Sequence, residues 1–141
     1  MNKKKAFEFF GVKQKNSVWS WSGLNYDKSL VVMTIWTDER KFIQENDTYV
    51  WSLYNRNNQI WKDKLGNKAR IQDIKFSYEN LNAKFRAIFI TPKHKNTTDT
   101  TRDIMAGEIA PCTSHLFKFV DFNEKTGECI AIGYRDVYFP K

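Results

Sequence analysis

The sequence predicts an α+β domain, built as an antiparallel, curled sheet or small β-barrel of about six strands with one main helix packed on it. Three observations predict it. Short apolar runs recur along the chain with period-two alternation, and turn-forming segments separate most of them. Beyond a short N-terminal helix, only one segment carries a helical stripe, so the alternating helices of a doubly wound parallel sheet are missing. The length of 141 residues is that of a single domain, and an aromatic fraction of 16% supplies much of the available core.

Residues 3–10 read as a short helix with Phe7 and Phe10 three apart, stopped by Gly11. Residues 17–22 and 30–36 read as the two strands of a hairpin. The segment between them, 23–29, is rich in turn formers and too short for a crossover helix. Trp19 and Trp21 share one face of the first strand. In the second, Leu30, Val32, Thr34 and Trp36 lie on one face and Val31, Met33 and Ile35 on the other. Residues 37–41 read as a polar connection. A third strand follows at 48–54, with Tyr49, Trp51 and Leu53 on one side, and residues 55–58 form a turn by composition.

The main helix is expected over residues 68–81, where Ile71, Ile74, Tyr78 and Leu81 make one stripe and Asn67 offers an N-cap. Residues 85–91 are a strand ended by Pro92. Residues 93–111 read as a polar, irregular connection, with a helical turn near Arg102 to Ala106. Residues 116–122 and 129–134 form a last hairpin around 123–127, where Gly127 is free to take a positive φ. No repeat or interdomain linker is visible, so residues 1–141 are read as one domain.

A net charge of +7 and a pI near 9.4 favour an acidic partner, nucleic acid first. Cys112 and Cys129 form no CxxC, there is no secretory h-region, and no apolar run reaches the length of a membrane span. The expectation is a cytoplasmic protein with reduced thiols and no membrane attachment. His94 and His115 stand alone, and four convergent zinc ligands are not in evidence. The chain has no Gly-x-Ser-x-Gly, phosphate-binding glycine loop or HExxH helix. No catalytic residue, metal or cofactor is therefore assigned. A small Mg²⁺-dependent nuclease of a restriction or defence system, using Asp38, Glu39 or Asp63, is the enzymatic alternative. A protein-interaction accessory factor, with a protein partner, is the further one.

Aromatic and basic residues together carry the leading expectation. Cations meet phosphates and aromatic faces stack on bases in nucleic-acid binders. Trp19, Trp21, Trp36 and Trp51 are the candidate stacking surfaces, with Ser20 and Asp38 to hydrogen-bond a base edge. Lys13, Lys15, Lys62, Lys64, Lys68, Arg70, Lys93, Lys95 and Arg102 are the candidate phosphate contacts. The resulting reading is a non-enzymatic nucleic-acid-binding module, DNA or RNA, whose sharper form recognises a modified base in an aromatic pocket. Against it stands the ordinary role of a strand tryptophan, which is core.

The opening Phe9-Phe-Gly-Val-Lys13, then Trp19-Ser-Trp-Ser22 and Val31-Val-Met-Thr-Ile-Trp-Thr-Asp-Glu39, resembles a family of small bacterial proteins. Arg102-Asp-Ile104 and Phe122-Asn-Glu-Lys-Thr-Gly-Glu128 fit the later part of the same pattern, so the resemblance spans nearly the whole chain. It implies no catalytic residues. The strand-borne tryptophans, basic charge and helix after the early strands are also similar to PUA-like domains, including the EVE and YTH groups. That similarity implies a small barrel whose aromatic pocket reads a modified base in DNA or RNA.

Overall fold

Two apolar runs lie side by side at the centre of the protein and run in the same direction: β2, Val31–Trp36, and β5, Lys84–Pro92. Both are apolar on both faces, which is the composition of a strand covered from two sides. The computed structural model describes residues 1–14, 21–54, 63–92 and 106–139. Around the central pair stand α1 (Lys3–Phe9), β1 (Ser22–Leu24), β3 (Arg40–Ile43), β4 (Thr48–Ser52) and α2 (Leu65–Asn80). The chain ends with β6 (Ala106–Pro111), β7 (His115–Phe122) and β8 (Cys129–Arg135).

The strand order is β1-β2-β5-β7-β8-β4-β3, with β6 paired to β5 beside this path. The α+β class therefore holds, but three details differ from the sequence reading. Among the described residues there are eight strands in place of about six, and the β2–β5 pair is parallel, so the sheet is mixed. No ladder joins β1 to β3, so the sheet is not a closed barrel within the described residues.

The sheet nevertheless has to curl. β2 and β3 are five positions apart in the strand order, about 24 Å across a flat sheet. Only the 3-10 turn Thr37–Glu39 joins them, a link that reaches at most about 14 Å. Bending brings the far edge back toward β2. The inner face then forms one core from Val31, Met33 and Ile35 on β2, Phe85 and Ala87 on β5, Phe117 and Phe119 on β7, Ala131 on β8 and Trp51 on β4. Ile74 of α2 closes it. On the outer face, Ala6 and Phe7 of α1, with Phe10 and Val12, cover Val32, Ile88 and Ile90.

Local expectations fare well where the pattern is strong. A hairpin pairs β1 with β2, but β1 is Ser22–Leu24, so Gly23 and Leu24 pair where a turn was expected. Residues 17–20 of the expected strand lie outside the described residues. The odd–even division of β2 between the two cores is as predicted. Tyr49, Trp51 and Leu53 do share a face. Gly11 ends the first helical segment at φ +78°, and Gly127 takes φ +86° in the β7–β8 turn. Residues 40–43 are a strand that begins inside the polar connection expected over 37–41, and residues 106–111 pair with β5 where irregular chain was expected. Ala106 opens that strand instead of ending a helical turn, while the turn at 55–58 and residues 93–105 lie outside the described residues.

β6 and β7 follow one another along the same edge of β5, pairing with residues 88–92 and 84–85 respectively. Residues 112–114 interrupt the run, and the C-terminal segment ties onto them through Asp136 N–H to Ser114 O at 2.8 Å and Tyr138 N–H to Thr113 O at 2.7 Å. On β8, Gly133 faces the Phe117 ring so closely that a Cβ would sit 2.8 Å from Cζ. Gly133→Ala is expected to destabilise the protein by about 1–3 kcal/mol through overpacking. Urea unfolding measures it, and a midpoint equal to wild type would contradict this packing.

Candidate functional site

The helix α2 begins three residues earlier than the expected start at 68, and its buried face is unexpectedly polar. Asn67 does not cap it: Lys64 stands at the N-cap without a side-chain hydrogen bond. Asn67 is buried inside the first turns, where its Nδ2 donates to Thr126 O at 2.9 Å and its Oδ1 accepts from Arg70 Nη2 at 3.0 Å. Gly127 packs against the same amide, leaving no room for a Cβ. Arg70 and Ser77 are buried along with Ile71 and Ile74, whereas Tyr78, expected in the stripe, is 42% exposed. Ser77 Oγ donates to Lys84 O at 2.7 Å, and Asp73 accepts from Ser22 Oγ at 2.6 Å. Buried polar groups need such partners, because each lost one costs about 1–3 kcal/mol.

The first half of α2 gathers these groups beside β1. The Arg70 guanidinium lies over the Trp21 ring, 4.9 Å from its centroid, and the next residue, Ser22, is the one that binds Asp73. A cation over an indole is attracted by the ring's electron-rich face. Behind them Trp51 Nε1 points at Glu39 Oε1 at 3.5 Å, a long contact. The Cys129 thiol is buried in the same region. Burial pushes its pKa up to about 12, with Arg70 opposing and Glu39 and Asp121 adding to the rise. An indole, a guanidinium, a hydroxyl and a carboxylate thus meet where α2 crosses the start of β1. Lys64 and Lys68 are exposed on the same end of the helix.

Of the residues singled out from sequence, Trp21 and Arg70 are brought together. Arg70 is buried, so it is not the surface phosphate contact the sequence suggested. Trp51 is wholly buried with its ring edge-on to Phe85 at 5.9 Å, which makes it core instead of a stacking surface. Its inward position follows from the curl, which turns the β4 face toward α2. Trp36 is half-buried on the outer face of β2, against the α1 cluster, and so does not share the Trp21 site. Asp38 is exposed in the 3-10 turn, and Lys13 is exposed beyond α1. Trp19, Ser20, Lys15, Lys62, Lys93, Lys95 and Arg102 lie outside the described residues. Asn67 and Asp73 were missed. The signal for Asn67 was available: 67, 70, 74 and 77 fall on one helical face, so the polar members of that set point inward with Ile74, whereas Asp73 lies off that set and had no such signal.

A second polar cluster ties the β3–β4 turn to β7. Buried His115 places Nε2 3.0 Å from Asp47 O and 3.2 Å from Asp47 Oδ1, and Nδ1 2.7 Å from Ser114 Oγ. Two oxygens face Nε2, so that nitrogen donates to them, and the Ser114 hydroxyl partners Nδ1. Arg135 Nε donates to Asp47 Oδ2 at 2.7 Å. Every group is matched by a neighbour, as a fold-stabilising network requires. Among the described residues no cluster of three or more His, Cys, Asp or Glu side chains is arranged to hold a metal ion. Comparison with family models, curated proteins and solved structures finds no match to this chain.

The Arg135 hydrogen bond, aided by its charge and by His115, holds the Asp47 carboxyl below its ordinary value of 3.8. A depressed carboxyl pKa contributes stability above the unfolded value, and that contribution is lost as pH falls through the folded value. Wild-type stability is therefore expected to drop below about pH 4 more steeply than that of Asp47→Asn. Urea melts at a series of acid pH values test this, and parallel pH profiles for the two proteins would contradict it.

Proposed function

We propose that the protein binds nucleic acid and seats a base at the Trp21–Arg70 layer. The observation that carries this reading is the indole fixed under a guanidinium, with the Ser22 hydroxyl and Asp73 carboxylate next to it. A base extends such a layer by stacking, since every base offers a π-face. The hydroxyl and the carboxylate supply the hydrogen-bonding chemistry with which a base edge is read, including one that carries a modification. Exposed Lys64 and Lys68 on the adjoining end of α2, and the net charge of +7, favour approach by a phosphate backbone.

The nuclease alternative has less support. Asp38 is exposed in the 3-10 turn, Glu39 leans toward Trp51, and Asp63 lies exposed in the turn before α2. Among the described residues they do not belong to a group of three or more His, Cys, Asp or Glu side chains arranged to hold a metal ion.

Titration of the intrinsic tryptophan fluorescence with short DNA and RNA oligonucleotides, unmodified and modified, tests the proposal. Saturable binding that weakens as salt rises is expected, because phosphate contacts release counterions. Trp21→Ala in a protein that still folds is expected to lower affinity by about 1–3 kcal/mol, the contribution of one stacked base. Undiminished affinity in that variant, followed by anisotropy of a labelled oligonucleotide, would remove Trp21 from the site.

A further inference from the structure

The far end of α2 opens onto a separate groove of about 790 Å³. Its walls are the β1–β2 turn, the turn from α2 into β5, and the C-terminal segment that carries Tyr138 and Phe139. Asn80 stands ten residues after Arg70, about 15 Å along the helix, so this is not the Trp21 site. Two aromatic residues stand out at the groove. Tyr26 is 97% exposed and Phe139 is 77% exposed, the two most exposed aromatic side chains among the described residues.

The walls are held in shape before any ligand arrives. In the β1–β2 turn, Asn25 Oδ1 accepts from Leu30 N–H at 2.8 Å, Asn25 Nδ2 donates to Ser29 Oγ at 3.1 Å, and Asp27 accepts from Ser29. In the α2–β5 turn, Asn82 and Ala83 both take left-handed φ values of +55° and +63°. Ser77 O accepts there from Leu81 N–H and Ala83 N–H, at 2.8 and 3.0 Å. The C-terminal wall is tied down by Arg86, whose Nη1 donates to Asp136 O at 2.8 Å and whose guanidinium lies over the Tyr138 ring at 5.1 Å. Asp136 also faces the guanidinium, Oδ2 to Nη2 at 3.5 Å, so the charge on the groove floor is largely matched.

We infer that this groove is a binding site for unpaired bases of a single-stranded nucleic acid. The inference rests on the reading of the protein as a nucleic-acid binder and names the form of nucleic acid it takes. Exposed rings on a fixed frame are what sequence-tolerant strand binding uses, one base stacking on each. Asn80 and Asn82 add side-chain amides, which carry both donors and acceptors and hydrogen-bond base edges. A duplex keeps its bases stacked on one another and cannot offer their faces to Tyr26 or Phe139. The near balance of charge, Asp27 against Lys84 with Arg86 matched by Asp136, suits bases in the groove and leaves the phosphates outside it, near exposed Lys28.

The test is anisotropy of a labelled mixed-sequence 12-nucleotide single strand and of the same sequence as a duplex, with wild type, Trp21→Ala and the pair Tyr26→Ala/Phe139→Ala. Both groove side chains are exposed, so the double variant is expected to fold, and its far-UV spectrum checks this. The double variant is expected to lose about tenfold or more in single-strand affinity, the size of at least one lost base stack, with duplex affinity and the salt slope unchanged. Equal single-strand affinity in wild type and the double variant overturns the groove proposal while wild-type binding lost in Trp21→Ala leaves the first reading standing. An equal loss on duplex overturns the preference for unpaired bases. Absence of binding by wild type to either oligonucleotide overturns both readings.

Discussion

The parallel pairing of β2 with β5 is the constraint on which the rest of the protein depends. Two strands that are apolar on both faces must be covered on both. The outer face receives α1 with Phe7 and Phe10, and the inner face receives α2 and the curled remainder of the sheet. A parallel pair also needs a long connection to bring the chain back to the same end. Here that connection contains β3, β4 and α2, so the element that carries Arg70 and Asp73 is part of the crossover that the pairing demands.

The curl follows from the same arrangement. β3 leaves the end of β2 after only Thr37–Glu39, yet its ladder partner β4 sits at the opposite end of the strand order. The sheet bends until the two ends approach, which places Glu39 beside Trp51 and sends Trp51 into the core. α2 then lies in the concave side with its first half over β1 and its C-terminal end at the turn into β5. One end of the helix makes the indole–guanidinium site and the other opens on the aromatic groove.

Much of this was legible in the residue pattern. Alternation located β2, β4, β5, β7 and β8, and turn chemistry located Gly11 and Gly127. The double-faced apolar runs at 31–36 and 85–90 were also an available signal for a parallel pair, but the absence of regularly alternating helices outweighed it. Edge strands β3 and β6 were missed because their stability comes from the ladders they join and their own sequences are short and mixed. The site was legible only in part. Trp21 and Arg70 were both singled out, for separate roles, since nothing in their spacing says that one lies over the other. Trp51 was misjudged because its direction is fixed by the curl, a property of the whole sheet.

Polar side chains on the inner face of α2 are the least economical feature of the fold, because a well-packed apolar face is usually at least as stable as a buried charged one. Their presence is accounted for if Arg70 is retained for ligand and not for the fold. Arg70→Met keeps the length of the side chain and removes its charge, and stability and oligonucleotide affinity measured on that one variant separate the two roles. The account predicts a stability loss below about 3 kcal/mol, the cost of leaving the buried Asn67 Oδ1 without its donor, together with an affinity reduced by about tenfold or more. A folded variant that binds as tightly as wild type, or a variant destabilised by about 3 kcal/mol or more because Arg70 serves the fold, would contradict it.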